Sequence, residues 1–136
     1  MPDPSFALRK AIHARLGGDA KLASLLPGQS VFDEVPRGRE PPYVTLGEGT
    51  VKDWSTASDL GHEHQMALTV WSAEGGVRQV FAVADALVAS LEAMPAGLDG
   101  HRLVNLVALA TEVKRDSGRR LVKGVVRIRA VTEALV

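Results

Sequence analysis

The chain has 136 residues, a length typical of one domain of roughly 100–150 residues, so we expect a single domain covering 1–136. Apolar residues make up 46% of the sequence and charged residues 24%, and no apolar run approaches the roughly 20 residues that a membrane-spanning helix needs, which excludes an integral membrane protein. The absence of cysteine excludes disulfide bonds, thiolate nucleophiles and cysteine-based zinc sites.

The charge is balanced overall, with 16 basic and 16 acidic side chains, which argues against a dedicated nucleic-acid binder. Its distribution is uneven: segment 62–101 contains one basic and five acidic side chains, whereas 102–136 contains eight basic and three acidic. Opposite patches on one subunit could meet on neighbouring copies, or the charges could alternate around the solvated surface. The first residues lack a basic region followed by an apolar stretch, so we expect no secretory signal and a cytoplasmic start.

The N-terminal third predicts two helices that form a hairpin. Leu8, Ile12 and Leu16 recur at intervals of four, which predicts one apolar stripe on a helix over 5–16. Gly17 and Gly18 end this helix, and Asp19 is a suitable N-cap for a second helix over 20–26.

The next segment predicts extended structure interrupted by loops. Val31-Phe32 reads as a short extended piece, and the proline-rich stretch 35–42 as an ordered loop. A strand is predicted over 43–46, ended by the glycines at 47 and 49. Segment 50–61 is polar without a clear period, which predicts a binding loop carrying Trp54, unless Trp54 folds back over the edge of the core.

The central segment predicts a strand followed by the strongest helix of the chain. Met66, Leu68 and Val70 alternate with Ala67, Thr69 and Trp71 in a strand over 62–72. Gly75-Gly76 then predicts a strand-to-helix turn. The helix after it ends before Pro95 and Gly97, and its apolar stripe contains Val77, Val80, Phe81, Ala84, Leu87, Val88 and Leu91.

The last third predicts two strands, 103–114 and 121–132, joined by a tight turn at 115–119. In the second strand Val126, Ile128 and Ala130 form an apolar row opposite Lys123, Arg127 and Arg129. The first strand is apolar on both sides, with Leu103, Val107 and Leu109 on one face and Val104, Leu106 and Ala108 on the other. A neighbouring subunit could cover the second apolar face, or else segment 50–61 or the N-terminal helices could do so.

Together these elements predict an α+β fold. Its sheet is four-stranded and mostly antiparallel, and it is packed by the N-terminal helical hairpin and one long central helix and completed by a C-terminal β-hairpin.

Sequence motifs for catalysis, metal binding or cofactor binding are nearly absent. His62-Glu63-His64 is the one cluster that resembles a metal site, and a closed site would need His13, His101 or carboxylates to converge with it. No serine-nucleophile elbow, phosphate-binding loop or dinucleotide fingerprint is present. We therefore expect no catalytic residues, no metal and no cofactor, with a small metal-dependent or nucleic-acid-processing enzyme at His62, Glu63 and His64 as the alternative.

The order of several short motifs resembles the tail-completion or tail-terminator family of long-tailed phages, and is similar to the member encoded by gene transfer agents of alphaproteobacteria. The resemblance runs over nearly the whole chain, through 8–16, Asp19-Ala20-Lys21-Leu22, Val31 to Pro36, Pro42 to Glu48, Asp53-Trp54-Ser55-Thr56 and Val70-Trp71-Ser72.

This resemblance implies a structural subunit that forms a six-membered ring at the head-proximal end of a tail tube. Such a ring stops tube growth, contacts the tail tube protein and the head connector or stopper protein, and meets double-stranded DNA only in transit through its lumen. It assembles in the cytoplasm and leaves with the released particle. A head-connector component is the alternative within this class.

Loops 36–42 and 50–61 are the predicted sites of axial contact. The candidate protein-interaction residues are Arg37, Arg39, Lys52, Asp53, Trp54, Arg119, Arg120, Lys123, Arg127 and Arg129.

Overall fold

The residues that the structure describes form an α+β sandwich of one sheet and three helices. The structure, a computed structural model, describes residues 3–73, 77–116, 118 and 120–135. The predicted Gly75-Gly76 turn, Ser117 of the predicted hairpin turn and the candidate residue Arg119 lie outside these residues. The elements in chain order are α1 (Pro4–Gly17), α2 (Ala20–Leu25), β1 (Val31–Phe32), β2 (Tyr43–Asp53), β3 (Gly61–Ser72), α3 (Arg78–Glu92), β4 (His101–Asp116) and β5 (Leu121–Ala134).

The helical hairpin begins at two side-chain caps. The carboxylate of Asp3 accepts a hydrogen bond from the backbone N–H of Phe6 at 3.1 Å, and that of Asp19 accepts one from Leu22 at 2.9 Å. These bonds satisfy amide groups that have no partner inside the helix. The cap predicted at Asp19 is confirmed.

The core lies between the helices and one face of the sheet, here called the inner face. Leu8, Ile12 and Leu16 of α1 are buried, as are Met66, Leu68 and Val70 of β3 and Val126, Ile128 and Ala130 of β5. The apolar rows predicted for these elements are therefore confirmed. The prediction for α3 was wrong at Phe81, which is 47% exposed, because Val83 occupies the buried position instead.

The sheet has five strands in the order β1-β2-β3-β5-β4, and the prediction of four was wrong. The additional strand is β1, whose Val31 and Phe32 pair in parallel with Val44 and Thr45. Two residues were too short to identify as a strand from their own pattern, since only the pairing with β2 makes them one. The other pairings are antiparallel.

Strand β2 does not end at the glycines as predicted. It continues to Asp53, and the pairing with β3 shifts register between Leu46 and Gly49. A Cβ on Gly47 would lie 2.6 Å from the carbonyl oxygen of Ala67, so the glycine permits close strand approach at this bulge. The loop predicted over 50–61 is consequently reduced to 54–60.

The final two strands pair antiparallel, but they are longer and less regular than the predicted hairpin. Register shifts lie between Leu103 and Asn105 and between Ala108 and Ala110. Because the first shift reverses the alternation, Leu103 and Leu106 are both buried, whereas the prediction placed them on opposite faces. Exposed aliphatic side chains remain at Val104 (44%), Val107 (42%) and Leu109 (53%).

The helices of the described residues are short or amphipathic. None of them combines the length and apolar character required to cross a membrane.

Candidate interaction surface

The side of the sheet that faces away from the helices is the outer face, and most candidate residues lie on it. Strand alternation places Lys123, Arg127 and Arg129 of β5 there, because the residues between them point into the core. The same alternation brings Thr45 and Trp71 to this face, where the indole N–H of Trp71 donates to the Thr45 hydroxyl at 3.1 Å. The outer face has three distinct regions along its strands.

The first region, the aromatic row, crosses the sheet where β2 begins and β3 ends. The rings of Phe32 and Tyr43 lie 6.0 Å apart edge-to-face, and those of Tyr43 and Trp71 lie 6.4 Å apart. A cation flanks each end of the row: the Arg39 guanidinium is 5.6 Å from the Phe32 ring, and the Lys123 ammonium is 5.4 Å from Trp71. Such contacts fix long cationic side chains over aromatic surface.

The second region, the Trp54 cluster, lies at the opposite end of β2. The Trp54 ring is 50% exposed, with Lys52 5.8 Å and Arg129 5.3 Å from its centroid. Both cations also bind Glu63, Arg129 at 2.7 Å and Lys52 at 3.2 Å. An exposed indole held between two fixed cations is typical of a protein-contact site, because aromatic and arginine side chains are enriched in such sites.

Glu63 anchors the Trp54 cluster. The hydrogen bond from Arg129, followed by that from Lys52, holds the pKa of the Glu63 carboxyl below its usual value despite its burial. Glu63 is therefore an ionised anchor for two cations, and its carboxylate points to the opposite face of β3 from the histidines on either side of it.

The third region, the central groove, lies between the other two and has a volume of about 310 Å³. The small side chain of Ala67 on β3 contributes to its floor. Gly49 on β2 approaches β3 closely, since a Cβ there would meet Gln65 O at 2.7 Å and Met66 Cβ at 2.8 Å. Glu48 stands at one side of the groove and Arg127 and Leu109 at the other. Arg127 is exposed and makes no hydrogen bond or ion pair with the described residues.

The remaining candidates are dispersed. Arg37 is exposed in the loop 33–42. Arg39 in the same loop is held internally, because its guanidinium donates to Ser30 Oγ at 2.7 Å and to Glu40 O at 2.6 Å. Asp53 accepts from the backbone N–H of Ser55 at 2.9 Å and orders the start of loop 54–60, and Arg120 is exposed with a positive φ of 54°.

The histidines do not form the metal site considered above. His62 and His64 lie 6.5 Å apart between ring centroids, and His62 is 6.5 Å from His101, but Glu63 points away from them. Among residues 3–73, 77–116, 118 and 120–135, no group of three or more histidine, aspartate or glutamate side chains is arranged to hold a metal ion.

The sequence interpretation missed the aromatic row, the role of Glu63 and the floor of the central groove. The alternation of 62–72 placed Trp71 and Glu63 on one face, and it could have found that pair. Nothing local could have brought Phe32, Tyr43 and Lys123 to Trp71, since these residues belong to different strands. The same holds for Lys52 and Arg129 beside Glu63.

The chain is similar to a known protein family and to a chain of a solved particle. The protein family described as Tail completion protein gp17 matches residues 10–133. A chain in the structure of the virion of a native gene transfer agent (GTA) particle superposes with a TM-score of 0.87 at 30% identity, covering 96% of this chain and 97% of that one. No curated protein matches the sequence significantly.

Proposed function

Because the chain belongs to the tail completion protein gp17 family, we propose that six copies form a ring on the head-proximal end of a phage-like tail tube. The ring ends tube growth and joins the tail to the head connector, and DNA passes through its lumen during delivery. The role is structural and involves no chemistry. Assembly takes place in the cytoplasm, and the ring leaves the cell as part of the particle.

One observation carries the axial part of this proposal: the two candidate loops lie at opposite ends of β2. Loop 33–42 precedes Tyr43, and loop 54–60 follows Asp53. Eleven residues of strand separate them, which corresponds to roughly 35 Å at about 3.3 Å per residue. A subunit placed with β2 along the tube axis therefore offers a different loop to each neighbour.

The two ends also differ in chemistry. The loop 54–60 end presents the Trp54 cluster, whose indole is half exposed between Lys52 and Arg129. The loop 33–42 end presents the exposed Arg37, and the tip of β4 and β5 lies at this same end because Ser72 pairs with Val122. A subunit whose two ends differ in this way can bind a tube layer at one end and leave no binding site for a further layer at the other.

The first test measures tube growth directly. Purified protein added to polymerising tail tube subunits is expected to stop elongation and to leave a ring at a single end of each tube in electron micrographs. Unrestricted elongation with bare ends would contradict the proposal. A ring that binds isolated connectors but ignores tubes would favour the head-connector alternative.

Variants at the two ends separate the axial contacts. Trp54→Ala and Arg37→Glu are each expected to fold and to reduce particle yield at least about tenfold. Truncating a central aromatic contact commonly costs about 2 kcal/mol or more, and reversing the charge of a contact residue places like charges together, which costs a similar amount or more. One variant should accumulate overlong tubes and the other terminated tails without heads. Trp54→Phe, which keeps a ring at the site, is the matched control, and identical defects in both variants would refute the two-ended arrangement.

A further inference from the structure

The central groove has a counterpart on the opposite side of the same subunit. Helix α3 packs on the inner face through Val80, Ala84 and Leu87, so its other side points to solvent. That side carries Arg78, Phe81 and Asp85, which we call the α3 stripe, and all three are exposed. Phe81 is 47% exposed although α3 is otherwise rich in buried aliphatic side chains.

The charges of the α3 stripe and of the central groove are complementary in sign and in spacing. Arg78 and Asp85 are seven residues apart, which is about 10.5 Å along a helix axis at about 1.5 Å per residue. In the groove, Glu48 lies in the β2 bulge opposite Ala67, and Arg127 of β5 pairs with Ala67, so the backbones of the two charged residues are about 9.6 Å apart at about 4.8 Å per strand. Both pairs carry one cation and one anion.

The apolar parts match as well. Phe81 lies between Arg78 and Asp85 on the helix, and the small side chain of Ala67 lies between Glu48 and Arg127 on the groove floor, where it leaves room for a ring. Beyond Arg127 the groove is bordered by Leu109, which is 53% exposed. This aliphatic side chain would lie against the next turn of the helix, where Ala89 is exposed.

We propose that the α3 stripe of one subunit occupies the central groove of the next, with Phe81 on the floor, Arg78 against Glu48 and Asp85 against Arg127. This inference rests on the proposed function, because it identifies the lateral contact of the ring. The contact joins opposite faces of the subunit and is therefore head-to-tail, the type that closes into a ring when its rotation allows. It also covers the exposed Leu109 of β4 with a second copy of the chain.

The absence of cysteine from the sequence permits a clean cross-linking test. In a chain carrying Asp85→Cys and Arg127→Cys, the two thiols lie on opposite sides of one subunit, too far apart for an internal disulfide. Mild oxidation in the presence of tail tubes is expected to give a ladder of disulfide-linked multimers on non-reducing gels. Asp85→Cys combined with Lys123→Cys, on the same strand but outside the groove, is the matched control and should give no ladder.

Charge exchange tests the same contact without thiols. Asp85→Arg and Arg127→Glu are each expected to weaken retention of the protein on tubes at least about tenfold, because each variant brings like charges together. The double variant restores the opposite pairing and should recover most of the retention. Failure of the double variant to recover, with both single variants folded, would overturn the proposed contact.

The outcomes separate this inference from the proposed function. If the wild-type protein ends tube growth and forms a ring but no ladder appears, the lateral contact is wrong and the proposed function stands. If Arg127→Cys, labelled at its thiol with a photoactivatable cross-linker, joins to the tube protein and not to a second copy, the groove is an axial site and the inference fails. If the wild-type protein neither caps tubes nor forms rings, the proposed function itself fails.

Discussion

His64 illustrates how a single side chain responds to its position in the strand. Its Nε2 lies 2.9 Å from the hydroxyl of Thr132, and the residue is 4% exposed on the inner face. Burial, with smaller contributions from His62 and His101, lowers the pKa of His64 to about 4, while Asp3 acts weakly in the opposite direction. The folded protein therefore keeps this imidazole neutral at pH values where the unfolded chain protonates it.

A pH dependence of stability follows from that difference. The contribution of the neutral His64 to the free energy of unfolding is complete above about pH 6.5. It is lost as the pH falls from 6.5 towards 4, because in this window the unfolded state binds more protons than the folded state. The loss approaches on the order of 3 kcal/mol, and denaturant unfolding at a series of pH values measures it. His64→Gln should flatten the curve in this window, and an unchanged slope would show that other groups produce it.

Glu63 shows that neighbours along the chain do not determine the role of a strand residue. The sequence groups it with His62 and His64, but strand alternation sends its carboxylate to the opposite face. There it meets Lys52 from β2 and Arg129 from β5. Neighbours across the sheet, and not along the chain, decide the role of this residue.

At the scale of elements, the packing of α3 on the sheet depends on one glycine. Gly124 faces the core in β5, and a Cβ at this position would lie 2.5 Å from Cγ1 of Val80. Val80 is fully buried and has little freedom to move, since β-branched side chains are restricted in helices. Helix and strand approach each other closely because no side chain intervenes.

Gly124→Ala should therefore lower the free energy of unfolding by about 1–3 kcal/mol, the usual cost of overpacking a core. Combining it with Val80→Ala should recover part of this loss, so that the two changes are not additive. Gly97→Ala is the control, because a Cβ there meets nothing within 4 Å. Equal effects of Gly124→Ala and Gly97→Ala in thermal or denaturant unfolding would refute close packing as the cause.

The bulges of β2 and β4 change which side chains lie on the outer face of the sheet. In β2 the bulge after Leu46 lets the strand pass the glycines and reach Asp53, which brings Lys52 beside Glu63. In β4 the shift after Leu103 returns Leu106 to the core and leaves Val107 exposed. Each bulge therefore determines which side chains the outer face presents.

At the scale of the whole molecule, the net charge is balanced, but two exposed surfaces carry charges of complementary arrangement. The α3 stripe and the central groove each pair one cation with one anion around an apolar centre. Their proposed contact depends on charge, and exposed charge pairs weaken as the Debye length falls from about 10 Å at 0.1 M salt to about 3 Å at 1 M.

Retention on tail tubes should accordingly fall several-fold when salt rises from about 0.05 M to about 0.5 M, as measured by co-sedimentation. The neutral variant Arg127→Gln should bind more weakly at low salt and respond less to added salt. Retention that is constant or increases with salt would indicate a contact dominated by apolar burial instead.

The sequence alone determined the features that depend on local pattern. The N-cap at Asp19, the apolar rows of α1, β3 and β5 and the α+β class follow from periodicity and capping residues within short windows. The family resemblance likewise depended on the order of motifs along the chain, and the match over residues 10–133 confirms it.

Only the tertiary structure decided the surface that carries the proposals. The strand identity of Val31–Phe32, the bulges in β2 and β4, the aromatic row and the Trp54 cluster all require residues from strands distant in sequence to lie side by side. Register between strands is a non-local property, because it depends on the partner strand and on any bulge between them, and a one-residue shift moves every following side chain to the other face.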